Sequence, residues 1–160
     1  MALTVNDHIK CVGMIGGGAA PLMSVTKASA TTWLKGAIII ATSGLAVEAA
    51  DGPTTGTILG VAAEAAVAGS TSALIYPALP NVIFSGRLAT GDTGGAYTSL
   101  VTDRYVKGYG IALEGTTGTW YINQADTTDD AVMITDFIDD IGDSLALCRF
   151  VFIDSVFNAV

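Results

Sequence analysis

The sequence predicts an all-β fold, either a small β-sandwich or a β-barrel-like domain, with an extended N-terminal arm. Turn signals built from Gly, Pro, Asp and Ser recur at intervals of about 8–12 residues, which is typical of these architectures. Short apolar runs rich in β-branched residues lie between the turns, and no segment keeps a helical period over about a dozen residues. The chain has 160 residues, of which 51% are hydrophobic and only 14% are charged. It is therefore long and apolar enough for one domain with a buried core.

Residues 1–32 form the predicted arm, and residues 33–160 form the single β domain. The glycine run 16–18 gives the backbone conformational freedom, and Pro21 stops any helix. Apolar side chains nevertheless flank the glycines. Ordering a backbone costs about 1–2 kcal/mol per residue, and the arm alone buries too little surface to offset this cost. We therefore expect residues 1–32 to become ordered only against a partner.

The predicted strands follow one another from residue 37 to residue 153, each bounded by turn residues. The first, 37–41, is a short β-branched run expected to be buried, and the last, 144–153, is the clearest strand. Turns are predicted at 51–53 and 108–110, and residues 64–68 are compatible with a short helical turn. The remaining predicted strands or edges are 45–49, 58–62, 73–76, 82–84, 97–101, 104–106, 111–114, 119–123 and 131–137.

The final predicted strand is apolar on both faces. A strand on a sheet with one solvated face would alternate with polar residues. Two interpretations remain open: the strand is central and covered on both sides within its own domain, or a neighbouring subunit covers one face. The second interpretation predicts self-association. Its candidate interface residues are Met14, Ile15, Leu22, Met23, Tyr76, Leu79, Val82, Phe150 and Phe152.

The net charge is -8, from 15 acidic and 7 basic residues. An acidic surface repels phosphate groups, so we expect neither a nucleic-acid partner nor an anionic membrane partner. The uncharged run 65–86 is long enough to span a bilayer, but its glycines and prolines indicate strand, turn and strand. Residues 1–20 lack the basic and apolar regions of a secretory signal. The sequence thus predicts neither a membrane span nor a signal peptide.

Catalytic chemistry is not predicted. The single histidine, His8, lies in the arm, where nothing holds it rigidly beside a nucleophile, as a Ser-His-Asp or Cys-His site requires. His8 and Cys11 have a ligand-like spacing, but two ligands in an arm make a poor zinc site. The glycine run 16–18 lacks the GKS or GKT that opens the helix of a phosphate-binding loop. We therefore expect a protein that is not an enzyme and needs no cofactor or metal.

Two features leave an alternative open. Cys11 and Cys148 are far apart in the sequence and are expected to be reduced thiols. The alternative is one disulfide between the arm and the last strand. The carboxylates between Asp136 and Asp143 are expected to form a solvated turn. The alternative there is a calcium site, although the segment lacks the alternating spacing and closing Glu of an EF-hand loop.

A set of turn and packing motifs runs through residues 34–86 and returns near the end of the chain. The motifs are Lys35-Gly36 ahead of an apolar strand, Asp51-Gly52-Pro53, Ile58-Leu59-Gly60-Val61-Ala62, Ala68-Gly69, Tyr76-Pro77-Ala78-Leu79-Pro80-Asn81-Val82, Tyr121-Ile122-Asn123, and DDIGD at 139–143 before the final strand. With these motifs, about two thirds of the chain resembles the capsid decoration, or cement, proteins of tailed bacteriophages. None of the motifs is a catalytic signature.

The resemblance implies a structural virion protein without enzymatic activity. Decoration proteins are small β domains, commonly trimers, that bind the outside of the capsid where subunits of the major capsid protein meet. There they stabilise the shell against the pressure of the packaged DNA. The resemblance therefore implies the major capsid protein and a homotrimer as partners. It also implies a place on the capsid exterior, after assembly in the cytoplasm of the bacterial host.

Two other classes of function remain open. Another phage structural part, such as a tail or fibre component, would show extended repeats or a long stalk sequence, and neither is visible. A carbohydrate-binding β-sandwich would use exposed aromatic side chains. The aromatic candidates are Trp33, Tyr97, Tyr105, Tyr109, Trp120 and Tyr121, with the two tryptophans foremost. Packing in a core or an interface is the more frequent role of such side chains.

Overall fold

A computed structural model describes residues 2–4 and 6–158 of the chain. These residues form eleven strands in two sheets, and their helical structure consists of the short 3-10 turns Thr55–Thr57 and Val101–Asp103. The strands are β1 (Lys10–Met14), β2 (Met23–Thr26), β3 (Ile38–Thr42), β4 (Leu45–Glu48), β5 (Ile58–Ala62), β6 (Ser72–Pro77), β7 (Val82–Ala89), β8 (Lys107–Glu114), β9 (Thr119–Asn123), β10 (Val132–Phe137) and β11 (Leu147–Phe152). The predicted all-β class is confirmed, and the two sheets are consistent with a small β-sandwich.

The first sheet has six strands in the order β1-β7-β11-β10-β8-β9. Its long strand β7 pairs antiparallel with both β1 and β11. At its end, β7 also pairs in parallel with β9, where Leu88 lies opposite Ile122. This additional pairing joins β7, β11, β10, β8 and β9 into a barrel-like ring and leaves β1 at the edge.

The second sheet has five strands in the order β2-β6-β5-β3-β4. A parallel bridge between Lys27, which follows β2, and Ala46 in β4 brings the two edge strands together. Lys27 is buried at this corner, where its Nζ donates hydrogen bonds to the carbonyl oxygens of Ala28 at 3.0 Å and Thr31 at 2.6 Å. Nζ also lies 5.7 Å from the centre of the Trp33 ring. Because a buried charge needs such partners, this lysine is a structural element of the corner.

One hydrophobic core joins the two sheets. In the first sheet, the rings of Phe84, Phe150 and Phe152 contact one another with centres 5.2 to 5.9 Å apart. The core continues into the second sheet through the fully buried side chains of Ile38 and Ile58. Buried aromatic side chains remove large apolar areas from water, so this cluster is a main source of the stability of the domain.

The final strand is a central strand, and the face that carries Phe150 and Phe152 is covered within its own domain. β11 lies between β7 and β10, and Phe150 and Phe152 are 0% exposed. Val82, at the start of β7, is also fully buried. The expectation that these three residues contact a neighbouring subunit is therefore wrong, because their side chains fill the core and do not reach the surface.

The predicted arm contains two of the strands. β1 pairs with β7 and β2 pairs with β6, each at the edge of its sheet. Ahead of β1, Ile9 is only 2% exposed, and Oδ1 of Asp7 accepts a hydrogen bond from Nε of Arg87 at 3.0 Å. All of these contacts are made with the same chain. That residues 1–32 order only against a partner stays a prediction.

Three local predictions differ from the structure. Residues 108–110, predicted as a turn, lie inside β8. Residues 64–68 contain an isolated bridge from Ala66 to Trp33 instead of a helical turn. Residues 97–106, predicted as two short strands, form a loop around the 3-10 turn. This loop, called the 97–106 loop below, lies in the connection from β7 to β8 within the first sheet.

Candidate interaction surfaces

The nine predicted interface residues differ widely in exposure. Ile15 and Leu22 are 58% and 55% exposed and lie in segment 15–22, between β1 and β2. Four others are half-buried, namely Met14, Met23, Tyr76 and Leu79. The remaining three are the core residues described above. The nine residues therefore do not form one surface, and segment 15–22 is the exposed part of the set.

The 97–106 loop exposes more large apolar side chains than segment 15–22. Leu100, Val101, Tyr105 and Val106 are 50%, 54%, 67% and 38% exposed. Exposed apolar residues scattered singly are ordinary on a protein surface, whereas a group of them often marks an interaction site. The loop is therefore the strongest candidate for an interaction surface in this fold.

A buried carboxylate holds the loop from beneath. Asp103 is 3% exposed, and its Oδ1 accepts hydrogen bonds from the hydroxyls of Tyr97 at 3.0 Å and Tyr109 at 3.1 Å. Its Oδ2 accepts a third hydrogen bond, at 2.7 Å, from the backbone N–H of Leu100. Three donors satisfy a carboxylate that burial would otherwise destabilise. One acidic side chain thus ties the first part of the loop, through Tyr97 and Leu100, to Tyr109 in β8.

The electrostatics of the network keep the two phenols protonated. Burial and the neighbouring Asp103 raise the pKa of Tyr97 to about 12. Burial and the same carboxylate also raise the pKa of Tyr109 well above its ordinary value. Both hydroxyls therefore remain hydrogen-bond donors to Asp103 at neutral pH.

The exposed Tyr105 has an unusual backbone conformation. Its φ is 61°, in the left-handed region that non-glycine residues seldom adopt. The backbone N–H of Tyr105 donates a hydrogen bond to the carbonyl oxygen of Ile134 at 2.9 Å, which ties this residue to β10. Such strain persists only where the surroundings fix the backbone, and it is often found at functional sites.

The acidic turn at 139–143 lies against the same loop. The backbones of Ser99 and Asp143, and those of Gly142 and Ser99, are joined by hydrogen bonds of 3.0 Å each. The turn exposes Ile141, which is 46% exposed, together with the side chains of Asp140 and Asp143. It thus extends the apolar surface of the loop and adds negative charge on one side.

Two other carboxylates of residues 136–143 form ion pairs with arginine side chains. Asp136 pairs with Arg149 at 3.3 Å, and Asp139 pairs with Arg87 at 2.6 Å. Oδ2 of Asp139 also accepts a hydrogen bond from the backbone N–H of Leu147. Within residues 2–4 and 6–158, no group of three or more His, Cys, Asp or Glu side chains is placed to hold a metal ion. The described geometry therefore gives no support to the calcium alternative.

An open groove lies where the two sheets meet. Its volume is about 830 Å³, and alanine is the most frequent residue in its lining, with Leu34 and Val67 among the other residues. Glu48 is the one acidic group in the lining, and burial raises its pKa. Its Oε1 accepts a hydrogen bond from Nε1 of Trp120 at 3.4 Å, which links the second sheet to the first.

The two tryptophans lie in the core. Trp33 is 3% exposed and Trp120 is 0% exposed, so neither presents a ring on which a sugar could stack. Tyr109 and Tyr121 are buried as well, and Tyr97 is half-buried. These side chains therefore pack inside the domain, and Tyr105 is the aromatic candidate that is largely exposed.

The groups considered for catalysis or a metal site are buried or half-buried. His8 lies against Gly36, its Nδ1 is buried without a hydrogen-bond partner, and burial together with Lys10 lowers its pKa. Cys11 and Cys148 are both free, so the disulfide alternative is not formed. The Sγ atom of Cys148 donates to the carbonyl oxygen of Gly86, and burial strongly raises the pKa of this thiol. A buried protonated thiol is a poor nucleophile.

Sequence reasoning missed the role of Asp103 and the conformation of Tyr105. Asp103 stands between Thr102 and Arg104 in a polar context that is typical of a surface turn. The one available signal was the pair of apolar runs on either side, Leu100-Val101 and Tyr105-Val106. Those runs were consistent with short strands, and only the fold shows that a buried carboxylate turns them outward.

The described residues contain no helix that is long and apolar enough to cross a membrane. No protein-family model matches the chain, and no curated protein matches it at a significant level.

Proposed function

We propose that this chain is a structural virion protein that binds the outer surface of a phage capsid and stabilises contacts between subunits of the major capsid protein. The observation that carries the proposal is the group of exposed apolar side chains on the 97–106 loop and on the adjacent Ile141. A protein with 14% charged residues keeps little strongly solvated surface, and a grouped apolar surface is typical of a protein-protein contact. The motif resemblance to decoration proteins supports the same function.

The proposed partners are the major capsid protein and further copies of this chain, arranged as a trimer on the capsid exterior. A stable contact needs on the order of 1,000 Å² of buried surface. One loop supplies part of such an area, and a closed oligomer presents the loop several times on one particle. The function requires no catalysis and no cofactor, and assembly would take place in the cytoplasm of the bacterial host.

Electron microscopy of virions with and without this protein tests the proposed function. We expect added density on the outer capsid surface and a lower resistance of the undecorated capsid to heat or to release of DNA. Density on the tail or on fibres would overturn the capsid assignment in favour of another structural part of the virion.

Light scattering of the purified protein tests the proposed trimer. The chain mass is 16.3 kDa, and we expect three times this mass at micromolar concentration. A mass equal to that of one chain would overturn the preformed trimer and leave assembly on the shell.

A further inference from the structure

We propose that the 97–106 loop, together with Ile141, is the docking face of this protein, and that it inserts into an apolar pocket of the capsid surface that carries basic groups on the side facing the 139–143 turn. The inference rests on the proposed function, because it names the contact through which the capsid would be bound. It assigns the partner by chemistry: apolar at the centre and positively charged at one side.

The apolar part of the face is compact in sequence. Leu100 and Val101 precede the buried Asp103, and Tyr105 and Val106 follow it. Each of these four exposed residues is therefore two or three positions from Asp103 in the sequence. Ile141 is brought beside them by the backbone hydrogen bonds of Ser99. Tyrosine is enriched in binding hot spots, in which one such side chain fills a pocket and its neighbours exclude water.

The face is ordered before any partner binds. The carboxylate of Asp103 fixes the two tyrosine hydroxyls and the backbone of Leu100, and the N–H of Tyr105 is bonded to β10. Binding through a loop that is already ordered avoids much of the entropy cost of association. The same bonds also fix the strained backbone at Tyr105, which directs its ring away from the core.

Charge distinguishes a capsid partner from a second copy of this chain. On the side of the turn, the exposed carboxylates are Asp140 and Asp143, and the loop itself contains one cation, the half-buried Arg104. The chain carries a net charge of -8, so a second copy would bring like charges together. A partner surface with Lys or Arg beside an apolar pocket would complement the face.

A matched pair of substitutions tests the docking face. Val101 and Val67 are both exposed valines, at 54% and 66%, but Val67 lies on the groove between the sheets. We expect Val101→Asp to weaken binding to capsids assembled without this protein by at least about tenfold, and Val67→Asp to leave binding unchanged. A second variant, Tyr105→Asn, keeps the backbone conformation accessible because Asn tolerates a positive φ, and it should weaken binding as well.

The charged side of the face is tested separately. We expect the double variant Asp140→Asn, Asp143→Asn to bind capsids more weakly at low salt and to lose much of the salt dependence shown by the parent protein. Thermal unfolding of each variant shows whether the fold is retained, and variants that melt with the parent protein are compared by co-sedimentation with capsids.

The outcomes separate the docking face from the proposed function. If the parent protein binds capsids and Val101→Asp and Tyr105→Asn bind equally well, the docking face is overturned and the proposed function stands. If the parent protein does not bind capsids at all, the proposed function is overturned, and the proposed docking to the capsid is overturned as well. If Val101→Asp binds capsids normally but changes the oligomeric mass, the face is a contact between copies of this chain, its role in capsid docking is overturned, and the proposed function stands.

Discussion

Among the segments of this protein that expose apolar side chains, segment 15–22 and the 97–106 loop are built in opposite ways. Segment 15–22 exposes Ile15 and Leu22 on either side of the glycine run 16–18, whose φ angles are 87°, 94° and 98°. No atom lies within 4 Å of the position that a Cβ would take at any of these three glycines. The 97–106 loop instead has a tyrosine at positive φ above a buried carboxylate with three hydrogen-bond donors.

The difference shows two ways in which a chain can present an apolar surface, and they differ in the backbone entropy that binding removes. Glycine reaches positive φ without strain, but it leaves a segment that loses much backbone entropy when it is ordered. In the 97–106 loop, this backbone entropy is lost when the domain folds, because the hydrogen bonds of Asp103 hold the loop in place. A contact through the 97–106 loop should therefore be strong for its area, whereas segment 15–22 should gain order when it binds.

The largest expected effect comes from deleting residues 1–32. The deletion removes β1 and β2 together with the buried Ile9 and Leu3, and it leaves β7 and β6 without their edge partners. Loss of one large buried aliphatic side chain costs about 2–5 kcal/mol, so we expect the truncated chain to lose most of its stability, on the order of 5 kcal/mol or more. Urea denaturation followed by circular dichroism measures the change.

Point substitutions provide the control for the truncation. Ile9→Ala should destabilise the domain by about 3 kcal/mol, while Ile15→Ala, at an exposed position, should change stability by less than about 0.5 kcal/mol. If the truncated chain instead unfolds cooperatively at the midpoint of the full chain, residues 1–32 are an independent arm, as the sequence predicts, and the packing of Ile9 contributes little.

Replacement of Asp103 should have the next largest effect. Asp103→Ala leaves the buried hydroxyl of Tyr109 and the N–H of Leu100 without an acceptor, which costs about 1–3 kcal/mol for each unsatisfied group. We expect a loss of about 3 kcal/mol together with faster hydrogen exchange in the 97–106 loop. Asp92→Ala removes an exposed aspartate and should change stability by less than about 0.5 kcal/mol. Equal stability of the two variants would show that the network does not hold the loop.

The pH dependence of stability should differ between the N-terminal region ahead of β1 and the 97–106 loop. Burial alone would raise the pKa of Asp7, but hydrogen bonds from Thr4 and Arg87 outweigh it and lower this pKa below its ordinary value. Its contribution is therefore present above pH 4 or so and is lost as the pH falls through the folded-state pKa. Asp7 anchors the segment ahead of β1, so acid should loosen the N-terminal region first. Asp7→Asn should remove this part of the acid dependence, as measured by urea midpoints at pH 3 and pH 6.

The 97–106 loop should respond to alkali instead. The pKa of Tyr97 is raised to about 12, above the ordinary value of 10, because burial and Asp103 oppose its ionisation. A raised tyrosine pKa gives stability that is fully present below pH 10 and is lost as the pH rises towards 12. Urea midpoints between those pH values should fall less steeply for Tyr97→Phe than for the parent protein. Identical slopes would show that Tyr97 ionises without disturbing the fold.

The parts of the fold that could be predicted from the sequence are those in which strand and turn chemistry are local. β5 and β9 occupy the predicted residues 58–62 and 119–123, because each is a short apolar run between turn residues. β1 and β2 were missed because both are short edge strands. In β1, the pairing shifts between Cys11 and Gly13, so the alternation that marks a strand is interrupted.

Other errors arose where distant residues decide the local conformation. Gly108 and Gly110 indicated a turn, yet they lie in β8, where glycine is needed because the carboxylates of Asp130 and Asp126 occupy the space of a Cβ. In the candidate site, the chemical character of Leu100 and Tyr105 was visible in the sequence. Their exposure was not, since it depends on a carboxylate that is buried only when β8 and the loop come together.

The smallest expected effect is also the one that separates folding from binding at a single position. Tyr105 is 67% exposed, so its side chain contributes little to the core, while its φ of 61° costs a non-glycine residue about 1–2 kcal/mol. Tyr105→Gly removes this strain but increases the entropy of the unfolded chain, and the balance should leave stability unchanged or raise it by up to about 1 kcal/mol. The reverse change in the other segment, Gly17→Ala, places a Cβ at a φ of 94° and should destabilise the domain by about 1 kcal/mol.

Thermal unfolding and capsid co-sedimentation of both variants complete the comparison. Tyr105→Gly should fold at least as well as the parent protein and bind capsids less tightly, because the ring that fills the proposed pocket is gone. A Tyr105→Gly variant that is clearly less stable would show instead that the ring supports the loop, and Tyr105 would then be a structural residue.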